Sequence, residues 1–188
     1  MELAPGGARF VSRDFGLDLL SSVPLRAEGP AAAADFVLGA GEQAAFLLTP
    51  LQEGGGRPAS YSLEETERAF RDTVDYWHRW LSRCNYRGRW REMVNRSALA
   101  LKLLTYAPTG AIVAAPTTSL PAPIGGVRNW DYRYTWIRDA SFTLYGLMRI
   151  GFTDEAYAFM RWLGARVHEA EKDGSLQVMY SIEGRHDL

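Results

Sequence analysis

The chain has 188 residues, a net charge of -1 at pH 7 and a hydrophobic fraction of 47%. This near-neutral balance argues against nucleic acid as a partner, because phosphate binding needs a clustered basic surplus. The single cysteine, Cys84, excludes an internal disulfide and is predicted to be a buried small side chain near a helix end. We expect a cytoplasmic protein without a membrane span, since neither a signal-peptide pattern nor an apolar run of about 18 residues is visible.

Residues 1–50 have the pattern of β-strands. Residues 15–24 are largely apolar, and two shorter apolar runs at 33–38 and 43–49 flank a glycine-containing connection at 39–42, which predicts a hairpin. Three strands cannot form a closed sandwich, so we expect this segment to be the C-terminal part of a larger β-domain. The proline and glycine content of residues 51–61 predicts a linker.

Helical signals begin directly after the predicted linker. Ser62 and Glu65 form a capping-box pattern. Apolar residues then recur at spacings of three and four, which predicts an amphipathic helix of about 20 residues; these are Phe70, Val74, Trp77 and Leu81. A second helix, about residues 91–106, has only Lys102 as a polar residue between 98 and 104, and this predicts burial on all sides.

Residues 109–126 form a long connection with three prolines, a length typical of functional loops. An apolar helix at 140–150 should end at Gly151, and Thr153 should cap a further helix whose first turn holds Asp154 and Glu155. A turn at 173–174 and a short strand or extended loop at 176–182 complete the prediction. Strands followed by helices indicate two domains rather than one α/β sheet.

The most distinctive segment is residues 128–139. It holds two Trp, two Tyr, three Arg and two Asp, a mixture that suits neither an apolar core nor a solvated loop. Flat aromatic faces beside charged hydrogen-bonding groups match a pyranose sugar. Tyr132, Tyr134 and Trp136 alternate and would share one face of an extended segment, leading to Arg138 and Asp139, which suit vicinal hydroxyls.

Simpler interpretations of the same residues stay open. Asp139 could cap the helix that follows it, and the aromatic residues could be purely structural. Asp131 and Asp139 do not fit a glycosidase pair in an extended segment, because they would lie about 26 Å apart, whereas inverting enzymes place their carboxylates about 6.5–9.5 Å apart. Glu183 and Asp187 are expected in a solvated tail. No phosphate-binding loop, dinucleotide glycine pattern or zinc-ligand cluster is visible, so we expect no metal and no cofactor.

Residues 128–140, RNWDYRYTWIRDA, closely resemble the signature of the glucoamylase-like glycoside hydrolases, family 15, a group with glucoamylase, glucodextranase and trehalase activities. The resemblance extends to residues 88–94, 96–99, 101–106, 114–121 and 176–180. It covers residues 62–188 strongly and residues 1–50 loosely.

The resemblance implies an α+β multidomain protein in which an N-terminal β-sandwich precedes an (α/α)6 barrel. Residues 1–50 would be the C-terminal part of the sandwich, and residues 62–188 would be the first helices of the barrel. It implies an inverting α-glucoside hydrolase without a redox cofactor. Arg138 and Asp139 would bind hydroxyls of the terminal glucose. Aromatic residues would line the same subsite, with a weaker expectation for the last two of them; these are Tyr132, Tyr134, Trp136, Trp130 and Tyr180.

The family's catalytic acid and base are both glutamates further along the barrel, and we therefore expect no catalytic residue in this chain. We expect the chain to be an internal piece of a longer enzyme, with the front of the sandwich and most barrel helices missing. The alternative is a non-catalytic sugar-binding or assembly module, which could self-associate through exposed apolar faces of its helices.

Overall fold

A computed structural model describes residues 1–13, 15–51, 62–170 and 175–187. The chain divides into two compact units, Met1–Trp77 and His78–Leu188. The predicted linker, except for Leu51, and the predicted turn at 173–174 lie outside the described residues. The division into domains at 1–50 and 62–188 stays a prediction.

The described part of the first unit contains two antiparallel sheets. Four strands form one sheet in the order β1-β2-β3-β6, and two form a hairpin, β4-β5. Their bounds are β1 Glu2–Ala4, β2 Gly7–Val11, β3 Gly16–Ser21, β4 Arg26–Glu28, β5 Ala31–Ala33 and β6 Phe46–Pro50. An antiparallel sheet region before the helices agrees with the predicted fold class, and the sandwich itself stays a prediction.

An ion pair joins the two central strands of the larger sheet. Arg9 on β2 lies opposite Asp18 on β3 in the strand register. Its Nε and Nη2 donate to the two carboxylate oxygens of Asp18, each at 2.7 Å. Asp18 is 3% exposed. A buried carboxylate is tolerated only when it is paired, so Arg9 explains why an aspartate can interrupt this apolar run.

The predicted hairpin across residues 39–42 is wrong. β5 pairs instead with the preceding strand, β4, through a turn at Gly29 and Pro30. Gly29 has a positive φ of 59°. A two-residue turn that opens with such a glycine matches the twist of paired strands. Residues 34–38 lie outside any strand, and β6 pairs with β3, which lies far earlier in the sequence.

Helix α1, Leu63–Ser82, begins with the predicted capping box. The Ser62 backbone N–H donates to Glu65 Oε2 at 2.8 Å, and the Glu65 N–H donates to Ser62 Oγ at 3.1 Å. The predicted apolar face is only partly correct, because Phe70 is 69% exposed. The buried residue of this helix is Trp80, which is not one of the four residues of the predicted face.

The second unit is built on the remaining helices and a small β-ribbon. Helix α2 is Arg91–Leu103, α3 is Ile137–Arg149 and α4 is Asp154–Glu169. Strands β7, Thr135–Trp136, and β8, Met179–Tyr180, pair antiparallel. The core cluster draws on the loop after α2, on α3, α4 and β8; its buried members are Ala111, Ile112, Ala140, Leu144, Phe159, Trp162 and Tyr180.

Helix α2 is not buried on all sides, contrary to the prediction. Ala98 is its one buried residue, whereas Met93 and Leu103 are 67% and 70% exposed. Helix α2 contacts helix α3, while its residues Val94, Leu99 and Leu101 are only half-buried. The (α/α)6 barrel stays a prediction.

Helix α3 ends as predicted at Gly151, which has a φ of 100°. The Phe152 N–H donates to the Leu147 carbonyl at 3.0 Å and the Gly151 N–H to the Met148 carbonyl at 3.1 Å, the two bonds of a Schellman motif. Thr153 occupies the N-cap position of α4 without a side-chain capping bond. Cys84 is buried just after α1, as expected.

Among the described residues, no helix has the length and hydropathy needed to cross a bilayer. Within the same ranges, no three His, Cys, Asp or Glu side chains are grouped so that they could hold a metal ion.

Candidate functional site

The distinctive segment connects the loop after α2 to helix α3. Two backbone hydrogen bonds hold it against that loop, because Ala115 N–H donates to the Tyr132 carbonyl at 2.7 Å and Ala114 N–H to the Tyr134 carbonyl at 3.1 Å. Its end, β7, pairs with β8. The segment is therefore fixed on two sides. The residues that hold it on one side, Ala114 and Ala115, belong to the long connection at 109–126.

Arg138 and Asp139 lie in the first turn of α3, which begins three residues earlier than predicted. The N-cap is Trp136 and no side chain makes a capping bond, so the interpretation of Asp139 as an N-cap is wrong. Arg138 Nε and Nη2 donate to Asp139 Oδ2 at 3.1 and 2.9 Å. Their side chains are 63% and 31% exposed, which leaves both accessible to a ligand.

Two aromatic rings lie next to this ion pair. The ring centroids of Tyr132 and Trp136 are 5.2 Å apart, and the Arg138 guanidinium carbon lies 5.8 Å from the Trp136 ring centroid. Tyr132, Trp136, Arg138 and Asp139 thus form one contiguous surface, which we call the Arg-Asp cluster.

The other predicted site residues are less closely associated. Tyr134 is half-buried and Trp130 is 57% exposed. Tyr180 is 4% exposed, and its ring packs edge-on against Trp162 with a centroid distance of 5.7 Å. The predicted single-faced row is incomplete, because the chain bends at residues 133–134 and only 135–136 are in a strand. The binding roles of all these residues stay predictions.

Sequence reasoning missed an ion pair between Asp131 and Arg133. Arg133 Nη2 donates to Asp131 Oδ2 at 2.6 Å, and Arg133 Nε lies within 3.0 and 3.1 Å of both carboxylate oxygens. The Arg133 backbone N–H also donates to Asp131 Oδ1 at 2.9 Å. These bonds lower the pKa of Asp131 to about 2. The Asp-x-Arg spacing was the available signal, since an aspartate readily accepts from the N–H two residues on.

A buried carboxylate in α4 was also missed. Glu155 is 3% exposed, and its Oε1 accepts from Trp80 Nε1 at 2.8 Å and lies 2.9 Å from Lys102 Nζ. Burial alone would raise the pKa of Glu155, but the bonds from Lys102 and Trp80 outweigh it and lower that pKa. The sequence pattern indicated Glu155 only as a negative charge in the first turn of a helix, where it interacts favourably with the helix dipole. Its contacts instead join α1, α2 and α4.

The Arg-Asp cluster combines two kinds of recognition. Tyr132 and Trp136 offer apolar rings with polar edges, while Arg138 offers donors in a fixed fork and Asp139 offers acceptors. Both aspartates of the segment are ion-paired with arginines. Their carboxylate oxygens can accept hydrogen bonds from hydroxyl groups. The arrangement is suited to binding a polyhydroxylated ring.

The family model described as Glycosyl hydrolases family 15 matches residues 88–188, more than half of the chain. The chain is 44% identical over 132 residues to a trehalase of Thermoplasma acidophilum, covering 70% of the chain and 22% of that relative. It is 48% identical over 117 residues to a trehalase of Thermoplasma volcanium, covering 62% of the chain and 18% of that relative.

A trehalase of Mycolicibacterium smegmatis is 43% identical over 134 residues, covering 70% of the chain and 20% of that relative. The chain therefore spans about a fifth of the length of the curated relatives that it matches. No solved structure gives a significant match.

Proposed function

The chain belongs to glycosyl hydrolase family 15, and on that premise we propose that it is part of an inverting, exo-acting α-glucoside hydrolase that acts on trehalose. The sequence alone left starch, dextran, trehalose or another glucoside open as the substrate. The relatives that resemble the chain over 62–70% of its length carry the name trehalase, and this observation favours trehalose.

In this proposal the Arg-Asp cluster binds the terminal glucose. Arg138 donates to hydroxyls and Asp139 accepts from them, while Tyr132 and Trp136 stack on the apolar face of the ring. The supporting observation is that these four side chains are contiguous and accessible. We assign supporting roles to Tyr134, Trp130 and Tyr180.

We place the catalytic acid and base outside these 188 residues. A general acid needs a carboxyl group that is still protonated near the working pH. Asp131 has a pKa of about 2, and Glu155 is buried with a lowered pKa. Neither of these two carboxylates fits that requirement, and we assign Asp139 to substrate binding.

A second candidate is a sugar-binding module that associates with itself or with a partner. Large apolar side chains on two helices favour it, because Phe142 and Tyr145 of α3 are 72% and 60% exposed and Tyr157 of α4 is 69% exposed. Exposed apolar patches mark interaction sites when they are contiguous.

The test compares trehalose, maltose and isomaltose as substrates for the full-length product of the gene that encodes this chain. We expect the highest kcat/KM for trehalose. In a ¹H NMR time course, each trehalose hydrolysed should first yield one β-glucose and one α-glucose, before mutarotation mixes the anomers. Binding of trehalose without turnover, with oligomers in light scattering, would support the second candidate. Turnover of maltose alone would contradict the trehalose assignment.

A further inference from the structure

We propose that Asp131 is a positioning residue. Its turn with Arg133 fixes the aromatic wall of the sugar subsite, which is formed by the rings of Tyr132 and Trp136. The identity of the bound sugar rests on the proposed function. The positioning role of Asp131 rests on the geometry of residues 131–136. Asp131 itself belongs to none of the groups assigned above to contact the substrate.

The first part of the argument is that Asp131 holds its own backbone. Its carboxylate accepts from the Arg133 N–H two residues on and from the Arg133 guanidinium. Backbone and side-chain bonds between the same two residues close a tight turn. The side chain of Asp131 is only 31% exposed although that of Arg133 is 53% exposed, so this carboxylate is directed into the turn.

The second part is that the turn presents its carbonyl to the wall. Trp136 Nε1 donates to the Asp131 carbonyl oxygen at 2.9 Å, which fixes the rotation of the indole ring. The Tyr132 ring then packs on that indole, with the planes inclined at 34°. A change in the turn therefore affects both rings. Tyr132 directly follows Asp131 in the sequence, and Trp136 is hydrogen-bonded to the Asp131 carbonyl.

The third part is that the loop side is also fixed. The Tyr132 carbonyl accepts from Ala115, and Arg133 lines a cavity of about 260 Å³ with Thr105, Pro116 and Ile182. Arg133 thus lines this cavity while its guanidinium is paired with the Asp131 carboxylate. A flat ring must be oriented to within roughly 10–20° to stack productively, and locked neighbours supply that precision.

The experiment uses the full-length gene product with three variants. Asp131→Ala removes the acceptor, Asp131→Asn keeps an acceptor for the Arg133 N–H and loses the charge, and Asp35→Asn is the matched control. Asp35 is an exposed aspartate that also accepts from an arginine, Arg26, with Oδ2 at 3.0 Å. The readouts are KM and kcat for trehalose, and ¹⁹F NMR of protein labelled with 5-fluorotryptophan.

We expect Asp131→Ala to raise KM about tenfold and to leave kcat within about twofold, because a misoriented wall weakens ground-state binding. The Trp136 signal, assigned by its loss in Trp136→Phe, should shift or broaden, while that of the core residue Trp162 stays in place. Asp131→Asn should give a smaller change in both readouts, and Asp35→Asn should match the wild type.

Wild-type KM together with an unmoved Trp136 signal in Asp131→Ala would overturn the proposal. So would equal shifts of all tryptophan signals, since these would indicate a general structural role. If Asp131→Ala does not fold, Asp131→Asn decides between these results. The ¹⁹F readout needs no substrate, so an inactive wild type would overturn the proposed function while the Trp136 signal still tests the role of Asp131.

Discussion

Asp131 and Asp139 are eight positions apart, and each accepts from an arginine, yet we assign them different tasks. Asp131 bonds both the side chain and the backbone of Arg133, and it is thereby committed to the local turn. Among the described residues, Asp139 accepts only from the side chain of its sequence neighbour Arg138, on an accessible surface. A sugar hydroxyl can replace that contact at little cost, because exposed ion pairs contribute little stability.

Glu155 allows a prediction of stability against pH. Its pKa is lowered in the folded protein, so the stabilisation is present above the ordinary glutamate pKa and is lost as the pH falls through the lower folded value. We expect the free energy of unfolding of the wild type to fall below about pH 4, and to fall less steeply in Glu155→Gln.

At pH 7 the free energy of unfolding of Glu155→Gln should be about 3 kcal/mol lower than that of the wild type, because the variant leaves Lys102 without its charge partner in a mostly buried position. The control is Glu64→Gln, which removes an exposed pair with Arg68 and should cost less than about 0.5 kcal/mol. Urea unfolding at several pH values measures both. Equal losses in the two variants would contradict the assigned role of the buried cluster.

At the scale of elements, the start and the end of α3 matter for the site. Its first turn carries Arg138 and Asp139, and its last turn closes through Gly151. The end was predictable, because a glycine after an apolar helix provides the left-handed conformation of the motif. The start was not, since neither Trp136 nor Ile137 is a typical helix-starting residue and the pairing of β7 with distant β8 fixes where the strand gives way to helix.

Gly151→Ala tests this helix end. The positive φ of Gly151 is unfavourable for alanine, and an added Cβ would lie 3.1 Å from the Arg83 carbonyl oxygen. We expect a loss of about 1–2 kcal/mol in the free energy of unfolding. Gly164→Ala, inside α4 with nothing within 4 Å of the added Cβ, should instead stabilise the protein by up to about 1 kcal/mol. A neutral Gly151→Ala in urea unfolding would contradict the account.

At the scale of the whole molecule, patterns local in sequence predicted best. The strand-then-helix order, the capping box of Ser62 and Glu65 and the family signature were all readable from the sequence, and the structure or the comparisons confirm them. Pairings between distant segments were not readable. The partner of β6, the contact of Glu155 with Lys102 and the burial of Tyr180 each depend on residues far away in the sequence.

The most direct test of the central claim is kcat/KM for trehalose in the full-length gene product, measured for the wild type and for Asp139→Ala, with Asp35→Ala as the control from another exposed Arg-Asp pair. Loss of a charged hydrogen bond that strengthens in the transition state costs about 3 kcal/mol or more, so we expect kcat/KM to fall at least about 100-fold in Asp139→Ala. The melting temperature and the kcat/KM of Asp35→Ala should both stay at the wild-type level. Near-normal turnover by a folded Asp139→Ala would contradict the assignment of the Arg-Asp cluster to the terminal sugar.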